Sequence, residues 1–242
     1  MTAQKPIDVA TQQTAGFLAS YVRAGAEILE VGCGNGHVAA ELSRRGYKVL
    51  GVDTDPAAVL RARNNGASAI VVSWPDYNGP AVDAVAFTRS LHHITPLDRA
   101  VRKARDILRP AGSLLIEDFA FDEMNAATMR WFVDVIRSQR AAALIRPIEG
   151  EFVTTLLHTT DPLDAWRHSR PHDLHSITAI TLTIQEYFAI RTLHLVPYMY
   201  RHLCRVLDET PEAATFVESV FHDEARLGQR GDIVMIGCRI VA

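Results

Sequence analysis

Glu30, Gly32, Gly34 and Gly36 occupy alternate positions in the run Ile28-Leu29-Glu30-Val31-Gly32-Cys33-Gly34-Asn35-Gly36-His37. Glycine lets a strand turn sharply into a helix, and it lets a ligand approach bare backbone. Asp53 ends the next apolar run, Lys48-Val49-Leu50-Gly51-Val52-Asp53, roughly 20 residues on. An acid there can take the two ribose hydroxyls of a nucleoside-containing cofactor. The alternatives are a glycine turn serving any other nucleotide, and an Asp53 that only caps the helix opening at Pro56. His92 and His93 follow a further apolar run. An imidazole at a ligand's edge can take a proton from a hydroxyl or amine, because its ordinary pKa is about 6.5. His92 is the stronger candidate, since a period-two turn would point the two rings apart. Packing, or capping of the following helix, is the alternative for both.

A second group of histidines lies late in the chain. His168, His172 and His175 have the helical spacing i, i+4, i+7 and stand among Trp166, Arg167, Arg170 and Asp173. Imidazoles so spaced can bind a metal, but Pro171 interrupts the helix that would align all three, and no metal is expected. The same residues suit a polar substrate mouth or a solvated surface. Tyr198, Tyr200 and Arg201 follow Pro197 and could fix a planar or anionic substrate, or pack in a core. Met124, Met129, Trp131 and Phe132 read as the buried face of a helix. Cys33 reads as a small residue of the turn rather than a nucleophile.

The elements that must position these residues alternate. A leading amphipathic helix covers 9–22. Strands are expected at 27–31, 47–52, 69–72, 83–87 and 113–117, with helices at 37–45, from Pro56 to about 63, and from Thr95-Pro96 to Leu108. Pro110-Ala111-Gly112 reads as a turn. Apolar strands alternating with helices imply a parallel sheet covered on both faces, and right-handed crossovers make it doubly wound. After Phe119 the pattern changes: one long helix over 123–145, an irregular stretch over 147–172, and a helix over 174–188. Strand candidates at 190–196 and 232–241, with helices at 198–207 and 211–227 between them, close the chain.

Four stretches resemble the class I S-adenosylmethionine-dependent methyltransferases. Glu30–Gly36 is similar to that family's first glycine motif, and Gly51-Val52-Asp53-Thr54-Asp55 to the acidic end of its second strand. Asp83–Ile94 is similar to the fourth strand and its loop, and Leu108–Ile116 to the turn into the fifth strand. Their order and spacing match over 27–120. The resemblance implies an α/β fold: a doubly wound, seven-stranded, mostly parallel sheet of Rossmann-like methyltransferase type, with a helical lid insertion. Residues 1–120 would be the cofactor-binding part, 121–180 the lid over the acceptor, and 181–242 the final strands and helices.

The resemblance also implies the cofactor, S-adenosyl-L-methionine, and its contacts. Glu30 would hold the ammonium, directly or through water. Gly32, Gly34 and Gly36 would approach the methionine and ribose portions, Asp53 with Thr54 the ribose, and Thr88 the methionine moiety. Members often carry an acid near the adenine amino group; here the stretch is Val71-Val72-Ser73-Trp74-Pro75-Asp76. Ser73 could accept that hydrogen bond and Trp74 could wall the adenine, with Asp76 as the alternative. The loop carrying His92 would face the transferred methyl group, and His168, His172, His175 and Tyr200 would line the acceptor pocket. The expected reaction is methyl transfer to an oxygen or nitrogen of a small molecule.

Composition sets bounds on this reading. The chain has 242 residues, 48% of them hydrophobic, with a net charge of −3. That is enough to bury one sizeable core, and no field of one sign suggests a nucleic-acid or membrane partner. Three scattered cysteines, no apolar signal core and no membrane-length apolar run suit a reducing cytoplasm. A nicotinamide-dependent oxidoreductase would need glycine at position 37, where His37 stands. A cofactor-binding protein without catalysis is the remaining alternative.

Overall fold

The central strands are buried almost throughout, as a sheet covered on both faces requires. In the computed structural model, which describes residues 3–169 and 173–242, β1 (Glu27–Val31), β2 (Lys48–Asp53), β3 (Ala69–Val71), β4 (Val82–Thr88), β5 (Leu108–Phe119), β6 (Thr192–Val196) and β7 (Gly237–Val241) form one seven-stranded sheet, ordered β3-β2-β1-β4-β5-β7-β6. The first five strands pair in parallel. β7 runs against them. Leu114 and Ala242 exchange N–H···O bonds of 2.9 and 3.0 Å, while Ala120 N donates to Ile236 O at 2.7 Å, so one strand's numbering falls as the other's rises. The expected doubly wound, mostly parallel sheet is what the chain adopts.

Ile28, Ala84, Ala86 and Leu115 point to one face, where they pack with Phe17 and Leu18 of α1 (Pro6–Ala19), Val38 and Leu42 of α2 (His37–Arg44) and Val59 of α3 (Pro56–Asn64). Leu29, Val85, Phe87 and Ile116 point to the other, against Val101 and Ala104 of α4 (Leu97–Ile107). Ile180 and Ile184 of α9 (Ile177–Tyr187) join that second layer. Each Leu, Ile, Val or Phe among them, fully buried, contributes roughly 1.5–3 kcal/mol. The chain runs outward from β1 through β2 to β3 and then returns to place β4 on the other side of β1, and this switch opens a crevice at the carboxyl ends of the strands.

The chain falls into two compact units: Thr11–Phe119 with His175–His194 and Cys238–Ala242, which holds most of the sheet, and the residues up to Ala10 with Ala120–Leu174 and Leu195–Gly237. In the second unit the helix expected over 123–145 is broken into α5 (Ala126–Arg137) and α6 (Gln139–Leu144). Ser138 between them is extended, and its hydroxyl accepts from Ala141 N, so a cap interrupts an otherwise apolar pattern. The stretch expected to be irregular contains α7 (Phe152–His158) and α8 (Pro162–His168). Asp161 accepts from Asp164 N and Pro162 takes the first turn of α8. Residues 199–205 form a 3-10 helix rather than an α-helix, and α10 spans Pro211–Gln229. Leu108–Gly112, expected as a helix end and a turn, belongs to β5, with Ala111 at φ 62°. No helix among the described residues is long and apolar enough to cross a membrane.

Candidate active site

A cavity of about 430 Å³ opens at the carboxyl ends of β1, β2, β3 and β4, a volume within the usual range for a small-molecule site. Each strand delivers residues to it. Gly32, at φ 69°, turns the chain out of β1, and its N–H donates to Val52 O at 2.8 Å. A Cβ on Gly32 would lie 2.4 Å from Ser90 Cβ, so only glycine lets the two loops meet. Ser90 Oγ donates to Val31 O at 2.6 Å and locks that junction.

Asp53 and Thr54 come from the end of β2 and both line the cavity. Asp53 Oδ2 accepts from Gly34 N at 2.8 Å and Oδ1 from Asp55 N at 3.0 Å. Its carboxylate is thus fixed by backbone donors and keeps lone pairs for a ligand. The helix cap is Asp55, which accepts from Ala57 N at 2.8 Å; Asp53 is not needed for it. Ser73 and Trp74, just past β3, line the same cavity. Trp74 is largely buried, gives its indole N–H to Ala100 O at 3.1 Å, and meets Phe87 edge to face. The ring therefore serves as a wall rather than as a hydrogen-bonding group. Asp76 pairs with Arg99 at 3.0 Å and stays outside the lining.

Glu30 and Thr88 are buried beside this lining rather than in it. Thr88 Oγ1 donates to Glu30 Oε1 at 2.6 Å, while Glu30 Oε2 has no hydrogen-bond partner. Burial pushes the Glu30 carboxyl up to about 7, against the pull of the Thr88 hydrogen bond and the Arg89 charge. Gly34 and Gly36, expected to approach a ligand, are also outside the lining. Gly36 is a packing position: a Cβ there would lie 2.6 Å from Ala62 Cβ and 2.9 Å from Ala67 Cβ. Burial, with the Glu30 and Asp53 charges, pushes the Cys33 thiol up to about 12, which leaves it inert as a nucleophile.

The loop after β4 reverses the ranking of its histidines. His92 is buried, with ring Nδ1 2.5 Å from Asp118 Oδ1 and its backbone N–H donating to Asp118 Oδ2 at 3.3 Å. Its ring also meets Phe119 edge to face at 4.9 Å. His93, not His92, is exposed and lines the cavity, together with Ile94 and Thr95. The two rings do not point apart: residues 91–93 form a 3-10 turn and the ring centroids are 4.1 Å apart. Arg89 and Ser90 also line the cavity. The sequence pattern gave no role to either. A polar pair following a buried strand was the available signal.

The four acceptor-side candidates fare differently. His175 N donates to His92 O at 2.9 Å, and its Nε2 lies 3.1 Å from Thr95 Oγ1 and 3.2 Å from Ile94 O, two residues of the cavity rim. His168 is exposed at the end of α8, beside Asp164 at 3.2 Å. Tyr200, expected to line a pocket, is fully buried against Phe221, because the 3-10 turn directs it into the core of its own unit. His172 lies outside the described residues.

The residues present fit S-adenosylmethionine. Asp53 offers acceptors for ribose hydroxyls, the turn at Gly32 is bare backbone, and the orphaned Glu30 Oε2 is a ready partner for an ammonium. The family model for a methyltransferase domain matches residues 10–176. The chain is 32% identical over 120 residues to 27-O-demethylrifamycin SV methyltransferase of Amycolatopsis mediterranei, covering 45% of this chain and 43% of that protein. It is 31% identical over 166 residues to ubiquinone biosynthesis O-methyltransferase of Alkalilimnicola ehrlichii, covering 65% and 64%. The matches thus span from under half to just under two-thirds of these relatives' length. The fold is similar to that of the PH0226 protein from Pyrococcus horikoshii, with a TM-score of 0.53 at 18% identity over 78% of this chain and 84% of that one. The chain belongs to the class I S-adenosylmethionine-dependent methyltransferases, and S-adenosylmethionine is its cofactor.

Proposed function

We propose that the chain methylates an oxygen or nitrogen of a small molecule in the cavity at the carboxyl ends of β1–β4. The observation that carries this reading is that Asp53 and His93 line one and the same cavity. One residue suits ribose recognition and the other suits proton acceptance from an acceptor. The names of these two relatives support an oxygen acceptor, since both describe O-methylation or an O-demethylated substrate. Nothing in the net charge of −3 favours a polyanionic acceptor.

The bound cofactor supplies a sulfonium-activated methyl carbon. The chain supplies position and a proton acceptor. Asp53 and Thr54 hold the ribose end, Ser73 and Trp74 wall the base, and Glu30 receives the ammonium with help from Thr88. Such alignment can lower the barrier by ~7–11 kcal/mol in favourable cases. His93, at an imidazole nitrogen, takes the proton that an attacking hydroxyl or amine releases. Asp118 and His92 act as positioning residues behind it. The His175 contacts to Ile94 and Thr95 hold the rim.

The test is transfer of a labelled methyl group from S-adenosylmethionine to a small-molecule extract, with products identified by mass spectrometry. His93→Ala should lower kcat about 100- to 10,000-fold while leaving the affinity for S-adenosylhomocysteine within about twofold of the parent. Label found only in protein or nucleic acid, or full turnover by His93→Ala, would remove this reading.

A further inference from the structure

Strand order gives the cavity a direction. Ser73 and Trp74 follow β3, Asp53 and Thr54 end β2, Gly32 follows β1, and Arg89 and Ser90 follow β4, with the four strands side by side in that order. A cofactor with its ribose at Asp53 and its base at Ser73 and Trp74 extends its amino-acid arm toward β1 and β4. Two side chains of opposite charge lie at that end. One is Glu30, with an unpartnered buried oxygen. The other is Arg89.

Arg89 is held there against a local preference. Its φ is 62°, the left-handed region that residues other than glycine seldom adopt. Its N–H donates to Glu117 O at 2.6 Å and its Nη1 to Glu117 Oε1 at 3.0 Å. Strain of this kind persists where surrounding contacts over-determine it. Glu117 is buried and also pairs with Arg239 at 2.7 Å. One carboxylate is shared between two guanidiniums, and Arg89 is the one that lines the cavity. A partly desolvated guanidinium is most stable with an anion on its remaining donors, and its planar fork matches a carboxylate.

We infer that Arg89 binds the α-carboxylate of the cofactor's methionine arm, opposite the ammonium at Glu30, so that the two side chains read the zwitterion as a pair. The inference rests on this cavity being the cofactor site. It gives Arg89 a specificity role: ligands with the adenosine part but no carboxylate lose this contact.

Calorimetry on the purified chain tests it with three probes: S-adenosylhomocysteine, its decarboxylated analogue, which keeps the adenosine, thioether and amine, and methylthioadenosine. The parent should bind S-adenosylhomocysteine about 10- to 100-fold more tightly than the decarboxylated analogue. Arg89→Gln should abolish that difference while binding the decarboxylated analogue and methylthioadenosine like the parent, which also shows that it is folded. Arg89→Lys keeps the charge but loses the fork, and should retain part of the difference; it serves as the reading variant should the Gln protein not fold. Equal weakening of all three ligands makes Arg89 a structural residue and overturns the inference, as does an unchanged preference in both variants. Asp53→Asn separates the underlying reading: if it leaves the affinity for every probe unchanged, the cofactor lies elsewhere and the role of Arg89 falls with it.

Discussion

A buried carboxylate is costly unless something compensates its charge, and for Glu30 the Thr88 hydroxyl, the Arg89 charge and the Ala39 backbone do not offset its burial. Its carboxyl is raised from 4.5 to about 7 by burial. The folded chain therefore keeps a proton that the unfolded chain releases as pH climbs from 4.5 toward 7. Stability should fall across that window and level off above it, by about 3 kcal/mol for a shift of this size. Glu224 has its carboxyl raised to about 7 by burial in the other unit and adds a fall of the same sign. Glu30→Gln has no proton to lose, so its stability relative to the parent should rise between pH 5 and pH 8. Urea unfolding at the two pH values checks this, and a constant difference between parent and variant would mean that Glu30 ionises as freely in the fold as outside it. On the proposed assignment the cost has a purpose: a cofactor ammonium at Glu30 would stabilise the ionised form.

At the scale of elements, the glycine turn separates two uses of the same residue type. The spacing of Gly32, Gly34 and Gly36 announced the strand-to-helix turn, but it could not say which glycine meets a ligand and which meets a neighbouring helix. That depends on α3, whose Ala62 leaves no room for a Cβ at Gly36. Gly34, at φ 52°, has open space around it. Gly36→Ala should therefore destabilise the fold by about 3 kcal/mol or more, through overpacking and backbone strain together. Gly34→Ala should cost about 1–2 kcal/mol, the left-handed penalty alone. Chemical denaturation of both variants reads the contrast; similar losses would place the two glycines in equivalent surroundings.

Legibility elsewhere follows the same logic. The place of Asp53 at the end of β2 and the five parallel strands were readable because periodicity and spacing are local. His92 and His93 were ranked wrongly because the 3-10 turn and the partner Asp118, 26 residues away, decide which ring is buried. The placement of Arg89 at the cavity was not readable because the residues that hold it, Glu117 and Arg239, lie on two other strands. Ser138 was passed over because one capping hydroxyl is a weak signal inside a long apolar pattern. The Asp-Pro helix start was recognised at Asp55-Pro56 but not at Asp161-Pro162, where polar, histidine-rich flanks hid the same signal.

At the scale of the whole chain, cofactor binding and stability are one equilibrium. A ligand that binds only the folded state, present at 100 times its Kd, stabilises by about 2.7 kcal/mol. Because the chain falls into two compact units, a single melting midpoint is a poor measure of that gain. Hydrogen exchange resolves it by segment. Saturating S-adenosylhomocysteine should slow exchange in the four segments that end β1, β2, β3 and β4: residues 31–34, 52–54, 73–74 and 88–95. The slowing should reach up to about 100-fold where exchange needs the site to open, the factor that corresponds to 2.7 kcal/mol. Backbone donors already tied within the fold make the pattern specific. Gly34 N–H is bonded to Asp53, and Arg89 N–H to the Glu117 carbonyl. Both exchange only when the cavity wall comes apart, so they should report ligand most strongly. Tight binding by calorimetry without slowed exchange in these four segments would show that the ligand is held by another surface, and that the crevice at the carboxyl ends of β1 to β4 is not where the methyl donor sits.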